Sequence, residues 1–245
     1  MPEKSTEWRI GTSGWSYDHW KGTFYPEDLP RSKWFQYYTE HFDSVEINYT
    51  FYSMPKEKTL TKWYDSAPDD FCFALKMNRF ITHRKKLNNV EDACKRFFDL
   101  ARILKEKLGV ILHQLPPSMK PDNSFDLVEA YVNILPKDIR HAIEFRHDSW
   151  ISDRVFNVLS EQDVAYCIVS APGLRTHIKS TAPFSYIRFH GIDDWYSYDY
   201  SDKDINWWAQ QISKLRKKGK AGYAYFNNDF EACAIRNASC LISKL

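Results

Sequence analysis

Several short stretches set a charged or polar side chain one residue away from an apolar one, and together they could grip an anion and move protons. The clearest is Ile143-Glu144-Phe145-Arg146-His147. Side chains in a strand alternate between faces, so Glu144 and Arg146 share one face while Ile143 and Phe145 take the other. The same parity sets Glu46 and Asn48 against Val45, Ile47 and Tyr49. It sets Cys72, Ala74 and Lys76 against Phe71, Phe73, Leu75 and Met77, and Arg188 and His190 against Ile187 and Phe189. Leu112 and Gln114 point the same way as these polar groups. His113 falls on the outward face with Ile111 and Leu115, where a hydrogen bond beneath helices is its expected job. Ser13-Gly14-Trp15 and Asn227-Asn228-Asp229 close two further stretches, the first with ambiguous parity.

An unpaired buried charge costs several kcal/mol. Glu46, Lys76, Glu144, Arg146 and Arg188 around one cavity therefore imply mutual pairing or a ligand. Two carboxylates against three cations, with His190 and His147 able to take a proton, point to an anionic group. Phosphate comes before carboxylate, and guanidinium holds either in a bidentate fork. Glu46, Glu144 and His190 are the candidate catalytic groups, because carboxylates and imidazole carry out proton transfer near neutral pH. Lys76, Arg146, Arg188 and His147 are candidates for holding the anion. Ser13, Trp15, Asn48, Gln114, Asn227 and Asn228 are candidates for orienting the substrate. Each has a structural reading as well, since a lone Lys or Arg can rest at a rim with its tip in water. No HxH or HExxH spacing appears. No cofactor is predicted, and a divalent metal on Glu144, His190 and His113 or His147 is the minor alternative.

Positioning these groups takes regular elements. Candidate strands fall at residues 10–14, 45–49, 71–77, 110–115, 142–145, 165–169, 186–190 and 222–226. Helical patterns lie between and after them at 34–42, 60–65, 90–107, 125–135, 155–162, 205–218 and 232–245, and only the helix between the sixth and seventh strands is hard to see. Asn89, Ser124, Ser152 or Asp153, and Ser201 or Asp202 stand where N-caps belong. Eight strands alternating with helices predict an α/β fold, a (β/α)8 TIM barrel of one domain over residues 1–245, with its site at the C-terminal strand ends. In that setting Glu46 and Glu144 lie well round the barrel from each other, too far apart for the roughly 5 Å of a retaining glycosidase.

Composition narrows the partners. With 43% hydrophobic and 27% charged residues the chain is an ordinary globular protein. A net charge of +2 makes no bulk case for nucleic acid, so anion binding must come from locally placed Lys and Arg. Five scattered cysteines without a CxxC, a polar start at residues 1–9 and no long apolar run predict a cytoplasmic protein that neither crosses nor anchors to a membrane. The aromatic segment 193–200 either covers the cavity or packs on neighbouring loops. Thr82-His83 and Ser149-Trp150 reach toward the same rim.

Read together, Gly11-Thr12-Ser13-Gly14-Trp15-Ser16-Tyr17, Val45-Glu46-Ile47-Asn48 before Thr50-Phe51-Tyr52, Thr82-His83 and Gln114-Leu115-Pro116-Pro117 form an ordered set. Glu144-Phe145-Arg146-His147 with Ser149-Trp150, Arg188-Phe189-His190-Gly191 and Phe226-Asn227-Asn228 continue it. The set, running from about residue 9 to the C-terminus, resembles the domain of unknown function 72, or YecE-like, family. That resemblance implies a TIM barrel and no established reaction. One departure is Tyr49, where the family usually has a small residue. The reading is an enzyme that hydrolyses a phosphoester or glycosidic bond in an anionic or phosphorylated substrate. Its alternative is a non-catalytic module that binds a nucleotide, sugar phosphate or single-stranded nucleic acid.

Overall fold

The structure, a computed structural model, describes residues 7–245; residues 1–6 of the polar start lie outside the described residues. Strands β1 (Trp8–Ser13), β2 (Ser44–Ile47), β3 (Cys72–Lys76), β4 (Leu108–Gln114), β5 (His141–Glu144), β6 (Ala165–Ser170), β7 (Phe184–Phe189) and β8 (Ala221–Phe226) close into a parallel barrel in sequence order. Helices α1 (Trp34–Thr39), α2 (Tyr49–Tyr52), α3 (Glu57–Ser66), α4 (Glu91–Ala101), α5 (Pro121–Asn133), α6 (Asp153–Glu161), α7 (Asp202–Lys217) and α8 (Cys233–Ile242) supply the crossovers and the C-terminal cover. Parallel neighbours require such crossovers, so the alternation seen in the sequence is the topology itself. None of the helices among the described residues is long and apolar enough to cross a membrane.

Backbone packing forms two compact units. One comprises the described residues up to Glu46 with Ile168–Ile178 and Pro183–Leu245. Here β1 pairs with both β2 and β8, and β8 with β7. Tyr38 clamps the strand ends, its hydroxyl accepting from Thr12 N and donating to Ser44 O, each at 3.0 Å. A Cβ on Gly11 would stand 2.1 Å from that same Ser44 oxygen, so only glycine lets β1 and β2 approach this closely. The other unit comprises Ile47–Cys167 and Lys179–Ala182. In it β3, β4, β5 and β6 pair in turn, with Lys76 opposite Leu112 and Gln114 opposite Glu144.

No helix lies between β6 and β7, the interval in which the sequence pattern made one hard to see. Thr176 Oγ1 instead donates to Val169 O at 2.9 Å, and Thr181 Oγ1 donates to Val164 O at 2.6 Å while accepting from Tyr166 N at 2.7 Å. These threonines satisfy the strand-edge groups that a helical crossover would have left to its own loops.

Three local expectations are corrected. Strand β2 stops at Ile47, because Asn48 turns helical and opens α2. Tyr49 thus leaves the strand's apolar face, is 49% exposed and meets Trp63 edge-on at 6.4 Å. The helix expected over 90–107 breaks after Ala101 into a 3₁₀ stretch with Lys105 at φ 46°, and Lys107 buries its ammonium on the carbonyls of Tyr64 and Ala67 at 2.9 and 2.8 Å. Asn89 and Ser124 are not caps. Val90 occupies the first of those positions, while Pro121, whose ring presets a helical φ, starts α5 before Ser124. Ser152 and Ser201 do cap, the latter in a reciprocal box with Asp204.

Candidate functional site

The first unit builds one polar cluster at the C-terminal ends of its strands. Glu46 on β2 and Arg188 on β7 meet at 2.7 Å, although β1 and β8 lie between their strands. Such a contact is open only to side chains on the inner face, as parity required. Glu46 Oε1 also accepts from Ser13 Oγ at 2.6 Å, and Oε2 from Tyr186 Oη at 2.7 Å. Burial first, and then the Glu46 charge, pushes the Tyr186 hydroxyl well above its ordinary pKa, so it stays a donor. Glu46, Tyr186, Arg188 and His190 are all buried.

His190 continues the chain. Arg188 Nη1 lies 3.3 Å from its Nε2. On the other side of the ring Asn227 Nδ2 lies 3.0 Å from His190 Nδ1. Trp195 covers the imidazole with ring centroids 5.5 Å apart, and Tyr196 N donates to the His190 carbonyl at 2.7 Å. Tyr200 is turned inward, donating to Ser170 Oγ at 2.8 Å and accepting from Gly191 N at 3.0 Å. The aromatic segment therefore divides, its first half covering His190 and its second half packing as structure.

The second unit builds another cluster. Glu144 at the end of β5 is buried and forms an ion pair through Oε1 with Arg146 Nε, just beyond the strand. Lys76, only 8% exposed, sets its ammonium 4.2 Å from the centre of the Phe51 ring. His83 joins them from a π-helical turn, Phe80–Arg84, of the kind frequent at functional sites. Its ring meets Phe51 edge-on at 4.9 Å and its Nδ1 lies 2.9 Å from Thr82 Oγ1. Burial, then the charges of Lys76 and Arg146, lower the His83 pKa to about 4 against the opposing pull of Glu144. The ring is neutral at physiological pH.

The remaining candidates fall differently. Gln114 is half-buried opposite Glu144, and Asn48 is half-buried at the start of α2. The Trp15 carbonyl accepts from the Tyr25 hydroxyl, and its ring packs on Phe35 at 4.8 Å. His147 turns back on its own loop, with Nδ1 2.7 Å from Ser149 Oγ. Asn228 is buried and donates to Tyr198 O and Asn237 Oδ1, both at 2.7 Å, which ties the loop after β8 to α8. Tyr186 was not among the candidates, and His83 was placed only at the rim, with no role in the site. Tyr186 shares the parity of Arg188 and was legible on that ground, whereas His83 follows no strand pattern. Among the described residues no group of three or more His, Cys, Asp or Glu could hold a metal ion.

Comparison with known proteins places these residues in a lineage. The UPF0759 protein YunF of Bacillus subtilis (strain 168) is 24% identical over 269 residues, covering 96% of this chain and 94% of that protein. The UPF0759 protein YecE of Escherichia coli (strain K12) is 28% identical over 115 residues, 47% of this chain and 42% of that one. Among solved structures, a DUF72 family protein from Thermotoga maritima MSB8 superposes with a TM-score of 0.88 at 27% identity, covering 97% of this chain and 98% of that one. Another, from Enterococcus faecalis V583, gives 0.84 at 20% identity, covering 97% and 95%, and shares the fold. The model of the family described as "Protein of unknown function DUF72" matches residues 9–245, and the chain belongs to that family.

Proposed function

We propose that this protein is a hydrolase of phosphorylated substrates, acting at the Lys76–His83–Glu144–Arg146 cluster. The observation that carries the reading is the convergence of Lys76 and Arg146 on His83, whose pKa their charges help hold at about 4 despite Glu144. A positive, partly closed site of this kind favours a phosphoryl group, and Arg146 supplies a guanidinium to grip it. Neutral His83 is then available as a base throughout the physiological range, and Glu144, relieved by a phosphate of its hold on Arg146, becomes the second proton-transfer group. In the other unit Glu46 serves as the anchor of Arg188 rather than as a base, since three donors engage it.

The pairing of Glu144 with Arg146 equally favours a second reading, a binding module without turnover, because a carboxylate held by a guanidinium is a poor base. The two separate experimentally. With p-nitrophenyl phosphate and bis-p-nitrophenyl phosphate as probes, Glu144→Gln is expected to lower turnover about 10²-fold or more while phosphate still raises the melting temperature. Arg146→Ala is expected to weaken phosphate binding about tenfold or more. Unchanged turnover in Glu144→Gln removes the acid–base role, and phosphate binding with no turnover in the unmodified protein establishes the module.

A further inference from the structure

Three aromatic–cation pairs lead outward from this cluster within the same unit. Lys76 lies 4.2 Å from the Phe51 ring centre, Arg79 5.6 Å from Tyr52, and Lys85 5.9 Å from Phe80. The rings are continuous with the site, since Phe51 touches His83 edge-on at 4.9 Å and Tyr52 edge-on at 5.1 Å. Exposure rises along the way, with Phe51 half-buried, Phe80 41% exposed and Tyr52 63% exposed. Arg84, Lys85 and Lys86 are exposed beside them. Between Asp70 and Glu91 the chain carries Lys76, Arg79, Arg84, Lys85 and Lys86 and no carboxylate at all. An overall charge of +2 therefore conceals a strongly basic strip on a chain that is otherwise net negative.

From this arrangement we infer that the strip binds single-stranded nucleic acid, feeding one phosphodiester to the cluster at Lys76, His83 and Arg146; the inference rests on the phosphate reading of that cluster. Flat rings stack on bases of any sequence while interleaved cations follow the phosphates. The exposed large apolar side chains here, Tyr52 and Phe80 with nearby Tyr49, are aromatic. A neutral glycan would make no use of the cations. An anionic bilayer also takes aromatic rings beside cations, but the strip exposes no aliphatic side chain to reach past the headgroups, and vesicles are the competing probe below. The left-handed backbone at Lys86 and Leu87, φ 48° and 69°, holds the basic turn in an unusual conformation at some cost, as binding loops often are.

The test uses the full chain and a fluorescein-labelled twelve-residue oligothymidylate, with inorganic phosphate and anionic phospholipid vesicles as parallel probes. The oligonucleotide is expected to bind at low salt, with log K falling by about 3 per decade of salt if Arg79, Arg84, Lys85 and Lys86 each meet a phosphate. Tyr52→Ala and Phe80→Ala are each expected to weaken it about tenfold, and Lys85→Glu with Lys86→Glu more, while all of them keep the phosphate-induced thermal shift. These strip positions are exposed, so the retained melting temperature certifies folding. Absence of oligonucleotide binding, binding indifferent to the strip variants, or capture by vesicles in its place overturns the inference. A phosphate shift that persists in any of those cases leaves the cluster reading standing, and a phosphate shift absent from a protein that still binds the oligonucleotide through the strip overturns the cluster reading and with it the feeding of phosphodiester to it.

Discussion

Arg188→Met is expected to lower the free energy of unfolding by about 3–5 kcal/mol, the usual cost of leaving one member of a buried ion pair without the other. Both Glu46 and Arg188 are fully buried, at 2.7 Å from each other. Without the guanidinium, the Glu46 carboxylate would keep the Ser13 and Tyr186 hydroxyls, two neutral donors, against the desolvation of a full charge. For a chain of this length a loss of that size lowers the melting temperature by about 6–20 °C. The double variant Glu46→Leu with Arg188→Met is expected to be more stable than Arg188→Met alone, because it removes the stranded charge as well as its partner. Urea unfolding at constant m-value measures both. A loss below about 1 kcal/mol for the single variant would mean that this pair does not hold the strand ends of its unit together.

Acidification is expected to destabilise the fold between about pH 6.5 and pH 4 through a buried pair of histidines. His141 Nε2 faces the Pro136 carbonyl at 3.0 Å and must donate there, so its Nδ1 accepts from His113 Nε2, also at 3.0 Å. His113 Nδ1 then accepts from the Tyr131 hydroxyl at 2.8 Å, and Tyr131 accepts from the Cys94 thiol at 3.9 Å. Burial lowers His141 to about 4, with Lys137 and Arg102 adding to the effect and the Pro136 carbonyl and Asp138 opposing it. Burial, then His141, takes His113 well below its ordinary value. The sign follows. A histidine whose folded pKa is depressed costs nothing above its unfolded pKa near 6.5, where both states are neutral. As pH falls through the window the unfolded chain takes protons that the folded chain refuses, and stability drops until the folded pKa is reached. His141 alone accounts for about 3 kcal/mol of that loss. His141→Gln, measured by urea unfolding at pH 7 and pH 4.5, is expected to show a smaller difference between the two pH values than the unmodified protein. An equal difference would place the acid sensitivity elsewhere.

Strand parity made much of the site legible. Alternation within β2, β5 and β7 sorts Glu46, Glu144 and Arg188 from Val45, Ile143 and Ile187, and a period of two persists as long as a strand does. It fails where strands end. Asn48 was read as inward on a strand that had already stopped, and Arg146 lies beyond β5 but reaches Glu144 on its long stem. His83 owes its place to links that no local pattern reveals: Thr50 Oγ1 donates to Lys76 O at 2.6 Å, and Asn78 Nδ2 to Thr50 O at 2.9 Å. These tie the exits of β2 and β3 together and set the π-helical turn that carries the ring. The fold was legible for a plainer reason. Eight apolar runs with helices between them leave few ways to pair every strand, and the single interval in which a helix was hard to see, between β6 and β7, is one in which threonine hydroxyls take over the strand-edge hydrogen bonds.

The row from Cys94 through Tyr131, His113 and His141 to Pro136 looks like a path along which protons could travel, yet its direction forbids traffic. Every member donates toward the next, and the last is an amide carbonyl, which neither holds a proton in water nor has one to return. Charge entering at the thiol end would halt at Pro136, and none can start from the other side. The row is a cul-de-sac. Its two imidazoles are insulated from the chemistry proposed at His83, so of the four histidines in this unit only His83 and His147 are left to answer to substrate.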